Sequence, residues 1–272
     1  MRKIEIKNIF HILMMELKIR KKTILFWALG IIGIMSLYMG LFKTLASTMG
    51  EEFEKLPPEL LQIVGGNLDL TNYNQYFGMV YKIVSMVIGA YVFINITSSI
   101  HDEINKNTSE YLYSQRLSRS EVIIAKLLCS IIIFALLNIL CLLTGEMIGE
   151  IINEPTFEFI GILKITLLTS LPCFIFIGCG VFIASLLKRN MKSIGVCLAI
   201  FFSLFLIGYL SSLAGDTLSF LKWFSPLDYI SYKDIIDGNN ILLGILLSII
   251  LSLGFTISGI LLYAKRDLLV QK

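Results

Sequence analysis

Residues 101–126 read HDEINKNTSEYLYSQRLSRSEVIIAK, a polar passage between two strongly apolar runs, and that contrast decides the fold. Asn107 stands three residues before Glu110, and Ser118 three before Glu121. Each pair has the spacing of a capping box, in which side chains and backbone exchange hydrogen bonds at a helix start. The spacing predicts a short helix over 108–115, a turn, and a second helix that enters the apolar run at Ile123. The exposed face of the first would carry Glu110, Tyr111, Tyr113 and Arg116. Two tyrosines among charges suit the docking of a partner protein.

The flanking runs set the class. Of 272 residues, 56% are hydrophobic and 16% charged, and the mean hydropathy is +0.80, which excludes a soluble domain with a polar exterior. Six runs are long enough to cross a hydrocarbon core of about 30 Å at about 1.5 Å per residue: 23–42, 78–100, 123–149, 157–187, 193–213 and 241–264. The expected fold is an all-α polytopic membrane protein, one transmembrane domain over 1–272.

Basic residues orient it. Arg2, Lys3, Lys7, Lys18, Arg20, Lys21 and Lys22 precede the first run, Lys106, Arg116, Arg119 and Lys126 follow the second, Lys188, Arg189 and Lys192 follow the fourth, and Lys265, Arg266 and Lys272 follow the sixth. The other loops hold only Lys43, Lys55, Lys222 and Lys233. The positive-inside rule then makes both termini cytoplasmic, in a multi-pass protein of the cell membrane. The net charge of +3 follows from this topology and gives no reason to invoke nucleic acid. Cys129, Cys141, Cys173, Cys179 and Cys197 fall inside the runs without metal-ligand spacing and read as small buried apolar residues.

Ile6, Phe10, Leu13, Met14 and Leu17 share one helical face, with Lys3, Lys7 and Lys18 around the other. This predicts an amphipathic interfacial helix within 1–22, lying along the inner membrane surface with its apolar side in lipid, the alternative being a cytoplasmic extension of the first span, which reads as a retained anchor. The outer loop 43–77 is long enough to pack as a cap, with Pro58 opening a short helix to Val64 and Gly65 and Gly66 closing it. Pro172 predicts a bend in the fourth span, where Ser170 is placed to satisfy a freed carbonyl. Gly145 with Gly149, and Gly180 with Ala184, have the spacing of close helix contacts. Residues 215–240 are too apolar for a solvated loop and read as short helices on the outer leaflet, Pro226 starting the second. Glu146 and Lys164 lie at similar depth in the third and fourth spans and are expected either to pair or to snorkel separately to the headgroups, with Lys82 an alternative partner. These three charges are the candidates for a substrate path.

The sequence carries no HExxH, GxSxG or intramembrane pair of aspartates, which argues against an intramembrane enzyme.

In layout the chain resembles the permease subunits of ABC-2 type transporters. The resemblance rests most on Glu103, Thr108, Glu110, Tyr111, Leu112, Ser118, Arg119 and Lys126, which match an acidic residue, a Gly-Thr pair, Glu-Tyr/Leu-Leu, a Pro-x-Ser-Arg turn and a lysine; Ser225-Pro226-Leu227 is a second match. Asn107 replaces the usual glycine and Arg116 the frequent proline. The resemblance implies that 101–122 is a cytoplasmic coupling loop, with Glu103, Thr108, Glu110, Tyr111, Arg116 and Arg119 docking into an ATP-hydrolysing subunit. No GxxxxGK[ST] phosphate loop occurs, so ATP and Mg would belong to a separate ABC ATPase, two copies per transporter, with a second permease, identical or homologous, completing the complex. Alternating access would then export a lipophilic or amphipathic substrate, such as an antimicrobial peptide or drug. A non-transporting immunity or sensory protein on the same fold is the alternative.

Overall fold

The computed structural model describes residues 6–53, 71–105, 118–188, 191–213 and 215–265. The α-helices among them are α1 (Ile6–Gly40), α2 (Phe42–Phe53), α3 (Tyr73–Asn105), α4 (Arg119–Ile152), α5 (Phe159–Ser170), α6 (Cys173–Leu186), α7 (Ser193–Leu213), α8 (Tyr232–Ile236) and α9 (Leu242–Lys265), with 3₁₀ segments at Gly215–Phe224 and Pro226–Asp228. Six helical stretches are long and apolar enough to cross a membrane, the fourth being α5 and α6 together. The expected all-α fold with six spans is therefore observed.

The ends of the bundle follow from contacts. Ile12 of α1 packs on Val122 and Ala125 of α4, and Tyr263 of α9 packs with Ile100 and Ile123, so the described chain starts and finishes at one end. Exposed Lys7, Lys18, Lys21, Lys22, Lys188, Lys192 and Lys265 gather there, and it is called the basic end below. The opposite, loop end holds α2, α8 and the 3₁₀ segments.

Helix α3 is the centre, touching α1, α4, α5, α6, α7 and α8. Its sequence explains this, since Tyr73, Tyr76, Phe77, Val80, Tyr81, Val84, Ile88, Val92 and Phe93 are all buried and an all-round apolar helix takes the interior position. Asn72 caps it, its Oδ1 accepting from the N–H groups of Asn74 and Gln75. Three tyrosine hydroxyls then pin it to its neighbours. Tyr73 donates to the Gly145 carbonyl at 2.5 Å, Tyr76 to the Tyr38 carbonyl at 2.7 Å, and Tyr81 to Asn138 Oδ1 and the Thr166 carbonyl.

The capping box of Ser118 and Glu121 opens α4, and Asn153 closes it in the left-handed region at φ 53°, a conformation asparagine tolerates. Pro172 divides the fourth span between α5 and α6. Lacking an N–H, it cannot bond to Leu168. The Leu171 N–H takes that carbonyl at 3.2 Å, and the carbonyl of Leu167 accepts from Ser170 Oγ at 2.9 Å. Pro226 starts a 3₁₀ turn, as its position predicts.

Some expectations are corrected. No separate interfacial helix exists within the described part of 1–22, because Ile6–Gly40 is one helix of 35 residues, about 52 Å long. Neither proline nor glycine interrupts it before Gly30, and its early part docks on α4. Of the apolar face, Leu13 is buried, while Ile6, Phe10 and Met14 are exposed, in keeping with a side turned to lipid. Helix α3 begins at Tyr73, five residues before the run read from hydropathy, and α2 was not foreseen. Gly145 and Gly149 do meet close neighbours, but these are the rings of Phe77 and Phe157. The helices expected over 58–64 and 108–115 lie outside the described residues.

Candidate functional site

At the basic end a carboxylate is buried among three helices. Glu16 of α1 receives Lys126 Nζ of α4 at 2.6 Å and Arg20 Nε, one turn further along α1, at 3.0 Å. Arg20 Nη1 also reaches Asn95 Oδ1 of α3 at 2.7 Å, and Lys126 Nζ donates to the Ser99 carbonyl of α3 at 2.7 Å. Asn95 Nδ2 in turn donates to the Tyr91 hydroxyl, whose ring stacks on Trp27 at 4.5 Å. The Lys126 and Glu16 side chains are 2% and 6% exposed, so their charges are satisfied by one another and by backbone, not by water. Buried charges survive only with such partners. The cluster ties α1, α3 and α4 together beside the two stems, α3 and α4, from which residues 106–117 depart.

A second charge pair lies at the loop end. Lys82 of α3 meets Asp228 of the Pro226–Asp228 turn at 2.9 Å, and Ser225 Oγ donates to the other carboxylate oxygen at 2.8 Å. Burial pushes the Asp228 carboxyl up, but Lys82 and the Ser225 bond outweigh it and hold the carboxyl below its ordinary range. The pair fastens the 3₁₀ turn to the central helix, while Phe220, Trp223 and Phe224 just before it stay exposed.

A carboxyl lowered on folding contributes stability above its unfolded value that is lost as pH falls. Lys82 is 44% exposed, which limits the gain to about 1 kcal/mol. Lys82→Met and Asp228→Asn should each lower unfolding stability by about that amount at pH 7, with no further loss in the double variant. The wild type's advantage should shrink only below roughly pH 3.9. Thermal unfolding of the detergent-solubilised variants across pH reads this, and fully additive losses would remove the pair as the cause.

The sequence-derived candidates fall as follows. Lys82 is half-buried and pairs with Asp228. Glu146 is half-buried and Lys164 exposed, and no ion pair joins them, the arrangement of the snorkelling alternative. Glu103 lies in the last turn of α3 and Arg119 opens α4, neither side chain being among those described. Thr108, Glu110, Tyr111 and Arg116 lie outside the described residues. Ser118 caps α4 and Lys126 grips Glu16. Sequence reasoning missed Glu16, Arg20, Asn95 and Asp228. The available signal was Glu16, the one acidic residue among Lys18, Arg20, Lys21 and Lys22, with Arg20 at four-residue spacing.

Five apolar spans thus surround the tyrosine-pinned α3, and among the described residues the buried acidic and lysine side chains, Glu16, Glu121 and Lys126, lie at the basic end. The chain belongs to the family described as the multidrug efflux system permease Rv1217c, C-terminal domain, whose model matches residues 11–256. No curated protein and no solved structure matches it.

Proposed function

We propose that this chain is the ABC-2 type permease of an ATP-binding cassette exporter. The observation that carries the reading is the family match over 11–256, supported by the Glu-Tyr-Leu, Ser-Arg and lysine pattern from Glu110 to Lys126. A separate ATPase docks on residues 108–119 and supplies the ATP chemistry. Its closure, driven by ATP, moves the spans between inward-open and outward-open states. The multidrug description of the family and the scarcity of charge in the spans favour a lipophilic or amphipathic cargo.

The double variant Glu110→Ala with Tyr111→Ala should lose most of its ATPase association, or uncouple ATP turnover from export, while unfolding like the wild type. Normal binding together with normal export would overturn the docking assignment, and binding without any substrate-dependent turnover would point instead to an immunity or sensory role.

The reading also fixes orientation, with the basic end cytoplasmic. In a background lacking the five native cysteines, Pro57→Cys and Trp223→Cys should react with an impermeant maleimide in intact cells, and Glu110→Cys and Arg189→Cys should not. Labelling at position 110 would reverse the topology.

A further inference from the structure

The buried cluster at the basic end is placed to do more than stabilise the fold. Glu16 and Arg20 sit on α1, while Lys126 lies on α4 and Asn95 and the Ser99 carbonyl on α3, the two helices that lead to residues 106–117. Lys126 stands two turns into α4 from its capped start, and it holds α3 as well through the Ser99 carbonyl. Arg20 holds α3 one turn earlier, through Asn95. A displacement of either stem along or away from α1 must therefore break a bond to a side chain with almost no access to water, or carry α1 with it.

Apolar contacts join the same helices at this level: Ile9 and Ile12 pack with Val122 and Ala125, Leu13 and Leu17 share a core with Cys129, and Ile96 and Ile100 pack with Ile123 and Leu127. Such contacts resist separation of the helices but tolerate sliding, whereas the charge-assisted bonds fix direction as well as distance. Glu16 is central because it accepts from both cations. Without it, Lys126 and Arg20 would face one another as like charges in a buried site.

We infer that Glu16 is a positioning residue that locks the two stems of the 106–117 segment to α1, so that a push on either stem is delivered to the first span. The inference deepens the proposed function and rests on it for the source of the push. The lock itself is a property of this chain alone and can be tested without any ATPase.

The test places spin labels at Lys22→Cys, exposed on α1, and Ser120→Cys, at the start of α4, in the background free of native cysteines, reconstituted in lipid. The parent should give one narrow distance distribution between the labels. Glu16→Met should broaden or split it. Because that variant removes the carboxylate between two cations and risks misfolding, the decisive protein is Glu16→Met with Lys126→Met. Apolar replacement of both charges should return its unfolding midpoint close to the parent's while the broad distribution persists. A merely structural role predicts that width recovers together with the midpoint, and that result, or a narrow distribution in a folded Glu16→Met protein, would overturn the inference. If the distances behave as expected but Glu110→Ala with Tyr111→Ala binds and exports normally, the lock stands and the ATPase docking assignment fails.

Discussion

Glu16→Met is expected to destabilise the protein by about 3–5 kcal/mol, the usual cost of removing one member of a buried ion pair. The size follows from what is left behind. Lys126, 2% exposed, would keep the Ser99 carbonyl but lose the Glu16 carboxylate, and Arg20 would keep Asn95. Lys126 and the partly exposed Arg20 would then face one another as like charges. Lys126→Met should cost less, because Glu16 retains the Arg20 guanidinium at 3.0 Å. The double apolar variant should be the mildest, since replacing a buried pair by well-packed apolar side chains is often neutral, and Arg20, 22% exposed, remains satisfied by Asn95. The expected order of loss is therefore Glu16→Met, then Lys126→Met, then the double variant. Reversible unfolding in mixed detergent micelles measures it, and losses that simply add would show that the two side chains do not act on one another.

Much of the fold was legible because the features that carry it are local. Apolar length announced the spans, Pro172 announced the break between α5 and α6, and Ser118 with Glu121 announced the start of α4. What stayed hidden depends on which face of a helix turns inward. In a soluble protein the apolar stripe identifies that face, but in a membrane the lipid is as apolar as the interior. Helix α4 shows the problem, with buried Phe134, Leu137 and Cys141 interleaved with exposed Leu136, Ile139 and Leu143. Whether Glu146 and Lys164 pair or snorkel separately stayed open for the same reason, since equal depth says nothing about rotation, and Lys164 turns outward. Glu16 was overlooked because hydropathy reads charges near a span as surface marks. Its burial arises from α3 and α4, remote in sequence, closing around it.

Gly259→Ala should be the second most damaging change, with a loss of about 3 kcal/mol, the upper end of the range for overpacking. Helix α9 packs mainly on α6, and only 11% of its most apolar window is buried, so it is held by a narrow strip. In that strip Gly259 lies against backbone, not against side chains that could rotate away. A methyl group there would stand 2.7 Å from the Phe182 nitrogen and 2.9 Å from its Cα. One at Gly178, across the same crossing, would stand 2.6 Å from the Ser252 carbonyl oxygen. The two helices would have to separate along the contact, removing the dispersion energy that associates helices in lipid. Gly254 offers the control, because it lies on the same helix, is exposed and has nothing within 4 Å of an added methyl. Gly254→Ala should be neutral or gain about 0.5–1 kcal/mol from helix propensity alone. The same chemical change should thus have opposite signs five residues apart, read as unfolding midpoints in one detergent. Equal stability of the two alanine variants would mean that α9 is not held by this close crossing. A loss at Gly259 that Gly178→Ala reproduces would fix the α6–α9 contact as the attachment of the last span.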